Sequence, residues 1–320
     1  MAKRLKTRAK AEAAPAIGET ELIWLLGQPP LTDYLSFVET KVMDGAAQDA
    51  RALVAEWRAA NDVYHALEQD EAGLADTISY TALPKALRKR AAAVETLPWF
   101  RSSFDNLPYQ FVEVELDKLI VSQPHVERGT MHAMVERLGG DAKPAAVFDL
   151  CVPRERVLPQ VTARRLSSNR YSFTSPSTDF RAHTPRLVLA EGNEIDAAAG
   201  PLFATLGIGV GFGSNVLSGI RSGTRILLQN GHHRAYALRS LGYRTCYAVV
   251  EDVTRKDELR LTATQEVIDD PEFYFAAPRP PLLKDFFDPR LAKTLRVKRI
   301  DNEVEIELLI RSHNATHVGS

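Results

Sequence analysis

Five consecutive residues combine side chains that suit the binding of a phosphate group: Asn230, Gly231, His232, His233 and Arg234. The glycine allows a tight turn and a close approach of a ligand to the backbone, because it has no Cβ atom. The arginine guanidinium presents donors that match phosphate oxygens, and histidine exchanges a proton near neutral pH. We therefore predict an anion site formed by all five residues, with His233 as a candidate catalytic group.

Two of these side chains also have a simpler interpretation. Arg234 would instead form a salt bridge or contact a helix end, and His233 would be a structural histidine with satisfied hydrogen bonds. His232 and His233 are adjacent and project in different directions, and no third ligand follows at a metal-binding spacing. We therefore expect no metal site made by protein ligands alone.

The residues around this turn predict the elements that must position it. Arg225–Leu228 is an apolar run that predicts a strand leading into the turn. After the turn, Ala235, Leu238 and Leu241 form one apolar helical face, and Gly242 is well placed to end the helix. Because the first-turn amides of a helix have no intrahelical partner, they form a natural binding position for a phosphate.

This strand, turn and helix resemble the second conserved box of the ParB/sulfiredoxin superfamily, in which a Gly-x-x-Arg turn cradles nucleotide phosphates. Matches to the opening strand, its following segment, the first helix and the final strand are Phe111–Leu119, Ser122–Pro124, Gly129–Leu138 and Thr245–Val250. The resemblance covers roughly residues 110–253, and about fifty residues between the two boxes have no counterpart. It implies a mixed α and β domain that binds a nucleotide.

Within the superfamily, the turn residues divide the chemistries. Sulfiredoxins have a catalytic cysteine where this chain has His232, so the repair of cysteine sulfinic acid is disfavoured. Partition proteins use cytidine triphosphate with a Gly-Glu-Arg-Arg turn, of which Gly231 and Arg234 are matched. The nearest form is the Asp-Gly-His-His-Arg of the free serine kinases, but Asn230 replaces the aspartate and cannot accept a proton. Those kinases also use a glutamate after their first strand, for which Glu127 is the candidate.

Two functions from different classes follow. The first is a nucleotide-dependent enzyme that hydrolyses or transfers a terminal phosphoryl group of a nucleoside triphosphate bound with Mg²⁺. His233 and Glu127 would be its catalytic residues, and Asp117 is another candidate base. The alternative is a non-catalytic ParB-like module that binds DNA or another protein. No helix-turn-helix segment follows the turn, and the downstream region is proline-rich and strand-like instead.

The composition is that of an ordinary globular protein: 320 residues, 45% hydrophobic and 25% charged, with a formal net charge of −1. This near-zero charge argues against a wholesale binder of polyanions. Cys151 and Cys246 are the only cysteines and lie in apolar runs, so a disulfide framework is excluded. No apolar run reaches the length of a membrane span, and we therefore expect a cytoplasmic protein without a membrane partner.

We predict an α+β protein. Its parts are a basic arm (residues 1–16), a helical region (17–108), the ParB/sulfiredoxin-like domain (109–255) with an insertion at about 153–208, and a C-terminal strand-containing extension (256–320) with a proline-rich segment at 277–289. The prolines favour an extended segment that packs on the surface of the chain itself.

Several elements outside the turn are also predicted from periodicity. They are a helical region from Glu21 to about Leu97, a strand at Ala145–Val152, a strand pair at Gly209–Ile220 and Thr224–Leu228, a charged helix at Asp257–Val267, and a C-terminal hairpin within Thr294–Ile310 that turns at Asp301-Asn302.

Overall fold

A computed structural model describes residues 18–28, 30–139, 141–155, 158–177, 179–183, 185–189, 203–299 and 301–312. The chain divides into two compact units. The first consists of Met1–Glu155 and Asn215–Arg299, and the second of Arg156–Ser214 and Ile300–Ser320. The predicted basic arm, residues 1–16, lies outside the described residues.

The described residues mix helices with several sheets, which confirms the prediction of a mixed α and β fold. In chain order the strands are β1 (Glu19–Leu25), β2 (Tyr80–Ala82), β3 (Tyr109–Glu115), β4 (Ile120–Val121), β5 (His125–Glu127), β6 (Thr162–Arg165), β7 (Arg170–Ser175), β8 (Phe180–Ala182), β9 (Arg186–Leu189), β10 (Ala204–Gly207), β11 (Val210–Phe212), β12 (Ser218–Ser222), β13 (Arg225–Asn230), β14 (Thr245–Val253), β15 (Ala292–Lys298) and β16 (Asn302–Glu307). The helices are α1 (Leu31–Lys41), α2 (Ala50–Asp70), α3 (Lys85–Glu95), α4 (Pro98–Ser103), α5 (Arg128–Leu138), α6 (Pro144–Cys151), α7 (His232–Ser240), α8 (Leu259–Thr262), α9 (Gln265–Asp269) and α10 (Pro271–Phe275).

A six-stranded sheet in the first unit positions the predicted turn. Its strand order is β2-β3-β14-β12-β13-β4. β12 runs parallel to β14 and β4 runs parallel to β13, whereas the other neighbours are antiparallel. β14 is buried along almost its whole length, which is typical of a strand covered on both faces. The opening strand expected within Phe111–Leu119 corresponds to β3, and the strands expected at Arg225–Leu228 and Thr245–Val250 lie in β13 and β14.

The N-terminal region contains strands as well as helices, which corrects the prediction of a helical region from Glu21 to about Leu97. β1 pairs antiparallel with both β15 and β5, and β2 joins the six-stranded sheet. Tyr34 of α1 and Tyr64 of α2 are fully buried in the core beside these strands. β1 finds its partner β15 near the other end of the chain, and local periodicity cannot reveal such a partner.

The segment Ala145–Val152 is a helix, not the predicted strand. α6 begins with Pro144, whose fixed φ angle suits the first helical position. Its buried residues, Val147, Phe148 and Cys151, follow a helical spacing. The continuous apolar run looked like a buried strand, because periodicity alone cannot separate a short buried helix from a buried strand.

Two further predictions near the C-terminus were wrong. The hairpin turning at Asp301-Asn302 does not form, because β15 pairs with β1 whereas β16 pairs with β7. The charged helix predicted at Asp257–Val267 is broken into a 3-10 helix (Lys256–Glu258), α8 and the start of α9. The alternation at the C-terminus is that of real strands, but their pairing partners are distant in sequence. The charged segment is helical, but the length of its helices depends on residues outside it.

The proline-rich segment 277–289 packs on the chain itself, as predicted. Leu282, Leu283 and Phe286 are buried in the core of the first unit. Arg279 is fully buried, and its Nη2 donates to Asp285 Oδ1 at 2.6 Å and to Glu71 Oε2 at 3.0 Å. This paired charge fixes the segment to the C-terminal end of α2.

The second unit consists of small antiparallel sheets. β6, β7 and β16 form one sheet, β8 pairs with β11, and β9 pairs with β10. The predicted pair Gly209–Ile220 and Thr224–Leu228 is therefore correct only in part, because β12 pairs with β13 while Val210–Phe212 pairs with β8. No helix among the described residues is long and apolar enough to cross a membrane.

Candidate functional site

The predicted turn joins β13 to α7, and its geometry requires glycine. Gly231 has a φ angle of +96°, and a Cβ atom there would lie 2.9 Å from Leu217 Cγ and 3.0 Å from Leu217 Cα. A side chain at this position would therefore be strained by the backbone and would also collide with a buried leucine. Gly231 is the N-cap residue of α7 and has no side chain with which to cap that helix. The first-turn amides have no intrahelical partner.

Arg234 is buried and contacts the protein itself. Its Nη1 donates to Asn215 O at 2.7 Å and to Cys151 O at 3.2 Å. The guanidinium thereby ties α7 to the C-terminal end of α6 and to the segment before β12. At least one of its nitrogens is thus committed to backbone carbonyls, so the side chain has a structural role in addition to any role toward a ligand.

His232 is only 4% exposed, and its Nε2 is buried without a hydrogen-bond partner among the described residues. Burial lowers the pKa of His232 to about 3, and the neighbouring His233 and His125 act in the same direction. The imidazole is therefore neutral at physiological pH. A buried polar atom without a partner is uncommon in folded proteins, which makes this nitrogen a marker of a site.

His125 joins this cluster, and the sequence did not single it out as a site residue. It lies on β5 beside Trp24 of β1, and the two rings stack with centroids 5.2 Å apart and an interplanar angle of 3°. His125 Nδ1 and Trp24 Nε1 are both buried without a partner among the described residues. Burial lowers the pKa of His125 to about 4, and the proximity of His233 contributes.

Glu127 and His233 interact electrostatically, since each shifts the pKa of the other. Thr130 Oγ1 donates to Glu127 Oε2 at 2.6 Å, and Thr20 Oγ1 donates to Glu127 Oε1 at 2.7 Å. Burial alone would raise the pKa of Glu127, but these hydrogen bonds and the charge of His233 lower it. Conversely, burial lowers the pKa of His233, while the charge of Glu127 opposes that shift.

His125 and Glu127 are two residues apart on a strand, which places them on the same face of it. This spacing is the signal that would have added His125 to the predicted site. Asp117, the other candidate base, instead accepts a hydrogen bond from Arg239 Nε at 2.5 Å. Arg239 is seven residues beyond His232, about 10 Å along α7 at the usual helical rise, so Asp117 lies toward the other end of the helix.

Asn230 is the last residue of β13 and lies opposite Ser218 of β12. It is half-buried, like His233 on the other side of Gly231. The described residues contain no group of three or more histidine, cysteine, aspartate or glutamate side chains arranged to hold a metal ion. The cluster of His125, Glu127 and the two histidines of the turn consists of groups that can exchange protons.

Comparisons of the chain with protein-family models, with curated proteins and with solved structures found no match. The resemblance to the ParB/sulfiredoxin superfamily therefore rests on the residues of the turn and its flanking strands, and it stays a prediction.

Proposed function

We propose that this protein binds the phosphate groups of a nucleotide at the start of α7, as the resemblance to the ParB/sulfiredoxin superfamily implies. One observation carries the proposal: α7 starts at His232, and the histidine cluster at this start holds two buried nitrogens without a partner among the described residues. Neither His232 Nε2 nor His125 Nδ1 has a hydrogen-bond partner among the described residues. An anion at this position would accept hydrogen bonds from the helix amides and from an imidazole N–H.

The electrostatics of the cluster favour the same ligand. His232 and His125 are neutral because burial and nearby histidines lower their pKa values. A phosphate nearby would stabilise the protonated imidazoles and raise those pKa values. Binding would therefore take up protons, and affinity would increase as the pH falls below neutrality. In this proposal Arg234 holds α7 in position, and its positive charge adds to the potential at the turn.

The residues present suit the phosphate part of a nucleoside triphosphate bound with Mg²⁺. Gly231 lets β13 turn directly into α7, although Leu217 fills the space that a side chain at this position would need. Mg²⁺ keeps several waters and binds through phosphate oxygens with only one or two carboxylates, and Glu127 is the carboxylate whose charge acts on His233. When bound, the ion would neutralise charge on the phosphates.

Hydrolysis or transfer of the terminal phosphoryl group is the catalytic extension of this proposal. Glu127 is held ionised: burial would raise its pKa, but the hydrogen bonds from Thr130 and Thr20 and the charges of His233 and Arg299 together lower it. It would accept the proton of the attacking hydroxyl group, and His233 would donate a hydrogen bond to a phosphate oxygen. Asn230 would orient a water molecule or a phosphate, since an amide cannot act as a base.

Calorimetric titration with ATP, CTP, GTP and UTP in the presence of Mg²⁺ tests the proposal. Tripolyphosphate serves as a probe that carries phosphates without a base. We expect binding by at least one of these ligands and a loss of about tenfold in affinity for His233→Gln, the size expected for a hydrogen bond to a charged group. His132→Gln is the matched control, because His132 is exposed on α5.

Absence of binding by every nucleotide and by tripolyphosphate would overturn the proposal. If the wild type and His233→Gln bound the nucleotide with equal affinity, the assignment of the site to this turn would be wrong. Phosphate release measured with the nucleotide that binds then tests the catalytic extension. Glu127→Gln should bind the nucleotide but release phosphate at least a hundredfold more slowly, in line with the usual contribution of a general base.

A further inference from the structure

The first unit contains a cavity of about 240 Å³, and no residue of the histidine cluster lines it. The segment after β1, the segment between β4 and β5, and the helices α9 and α10 form its walls. Three prolines and two aliphatic residues make much of the lining apolar: Leu25, Pro30, Val121, Pro124 and Pro281. The volume lies below the range of drug-sized ligand sites, so the cavity suits a small molecule.

The charged side chains that line the cavity are all acidic. Glu266 and Asp270 line it, and none of the described lining residues is basic. Burial of the carboxyl group raises the pKa of Glu266, a hydrogen bond from Tyr274 opposes this, and the nearby Asp33 of α1 adds to the increase. Glu266 and Asp270 are partly exposed to solvent, and two carboxylates that line one cavity are stabilised by a cation.

A buried acceptor completes this arrangement. Gln28 Nε2 donates to Arg279 O at 3.2 Å. This bond orients the amide so that Gln28 Oε1 is buried without a hydrogen-bond partner among the described residues. Leaving a buried acceptor unpaired is costly, and a donor on a ligand would relieve that cost. Two aromatic rings, Phe273 and Tyr274, also line the cavity and pack edge to face with centroids 5.0 Å apart.

We propose that this cavity binds a small organic ammonium ion. A primary ammonium group has three N–H donors and a positive charge, which match the Gln28 oxygen and the carboxylates of Glu266 and Asp270. The aromatic rings favour a cation, and the prolines favour a short apolar body. The inference does not depend on the proposed nucleotide site, since no residue of the turn lines this cavity.

Titration of the full-length protein with three ligands of similar size tests the charge requirement. The ligands are n-butylammonium, n-butanol and butyrate. Their binding is measured by proton NMR and by calorimetry. We expect saturable binding of n-butylammonium, weaker binding of n-butanol and no binding of butyrate. Binding of n-butanol or butyrate with an affinity equal to that of n-butylammonium would overturn the proposal.

A pair of neighbouring substitutions then tests the position. Glu266→Gln keeps the shape of the side chain but removes its charge, and should weaken n-butylammonium binding about fivefold, as expected for a partly exposed ion pair. Asp269→Asn is the control, because Asp269 is exposed on α9 and does not line the cavity. Equal losses in both variants would mean a nonspecific charge effect and would overturn the site. Nucleotide titration of Glu266→Gln measures the proposed site at the start of α7 separately. A failure of the ammonium proposal can therefore be told apart from a failure of the nucleotide proposal.

Discussion

At the scale of single residues, burial controls the protonation of the histidine cluster. Glu127 acts to raise the pKa of His233, yet the net shift of that pKa is downward. For His232, burial and the two neighbouring histidines all lower the pKa. The consequence is that His125 and His232, with pKa values of about 4 and about 3, are neutral near physiological pH. Such groups change protonation when their surroundings change, which is a property of many functional sites.

The same burial makes the folded protein sensitive to acid through His232. Its pKa is about 3 in the folded chain, against about 6.5 for a free histidine. Between these values the unfolded chain binds the proton and the folded chain does not. The contribution of His232 to stability is therefore fully present above about pH 6.5 and is lost as the pH falls, with a slope of up to about 1.4 kcal/mol per pH unit.

We expect His232→Leu to flatten the fall in the free energy of unfolding between about pH 6.5 and pH 4. Leucine cannot be protonated, and it removes a buried nitrogen that has no partner among the described residues. Urea denaturation at several pH values measures the slope, and His132→Gln serves as the exposed control. An unchanged slope in His232→Leu would contradict the neutral, buried state of this histidine.

At the scale of elements, the passage from β13 to α7 depends on one glycine in two separate ways. Gly231 combines a φ angle of +96° with close contact to Leu217. Gly242, beyond the end of α7, has a φ angle of +89° but nothing within 4 Å of its virtual Cβ atom. The two glycines therefore share the backbone requirement and differ in the space around them.

We expect Gly231→Ala to lower the free energy of unfolding by more than Gly242→Ala does. The backbone strain of a left-handed alanine should cost about 1 kcal/mol in both variants. Gly231→Ala should lose a further 1–3 kcal/mol, roughly the cost of overpacking a core. Chemical denaturation of both variants measures the difference, and equal losses would show that Leu217 moves aside without cost.

Local elements could be predicted from the sequence, whereas elements defined by distant partners could not. The turn and α7 follow from Gly231, the helical face after it and Gly242, all of which act within a few residues. β1 and β16 have their partners far along the chain. Helical spacing therefore gave a helix in place of β1, and alternation gave a false hairpin in place of β16. At the site, Glu127 was found through the family resemblance, while His125 needed knowledge of the strand face that it shares.

At the scale of the whole molecule, the C-terminal part of the chain contributes to both units. Residues up to Arg299 belong to the first unit, and those from Ile300 belong to the second. β16 completes the sheet of the second unit by pairing with β7, where Val304 lies opposite Phe173 and Ile306 lies opposite Tyr171. Cross-strand pairs of this kind are the unit of sheet stabilisation, so the second unit depends on the end of the chain.

We expect removal of residues 300–320 to expose β6 and β7 to proteolysis. The truncation leaves the backbone groups of β7 unpaired on one side and removes the apolar partners of Phe173 and Tyr171. Limited trypsin digestion followed by mass spectrometry should then find faster cleavage at Arg164 and Arg170. Removal of residues 313–320 alone is the control, since it keeps β16, and equal cleavage rates in both truncations would contradict this role of β16.

The stacking of Trp24 on His125 gives the protein an intrinsic optical probe. A protonated imidazole quenches indole emission more strongly than a neutral one does, and these two rings lie parallel with centroids 5.2 Å apart. Any event that protonates His125, whether acid or the arrival of an anion at the start of α7, should therefore dim the emission of Trp24. Once Trp57 and Trp99, the other two tryptophans of the chain, are replaced by phenylalanine, the fluorescence of the unlabelled protein reports on the charge state of His125.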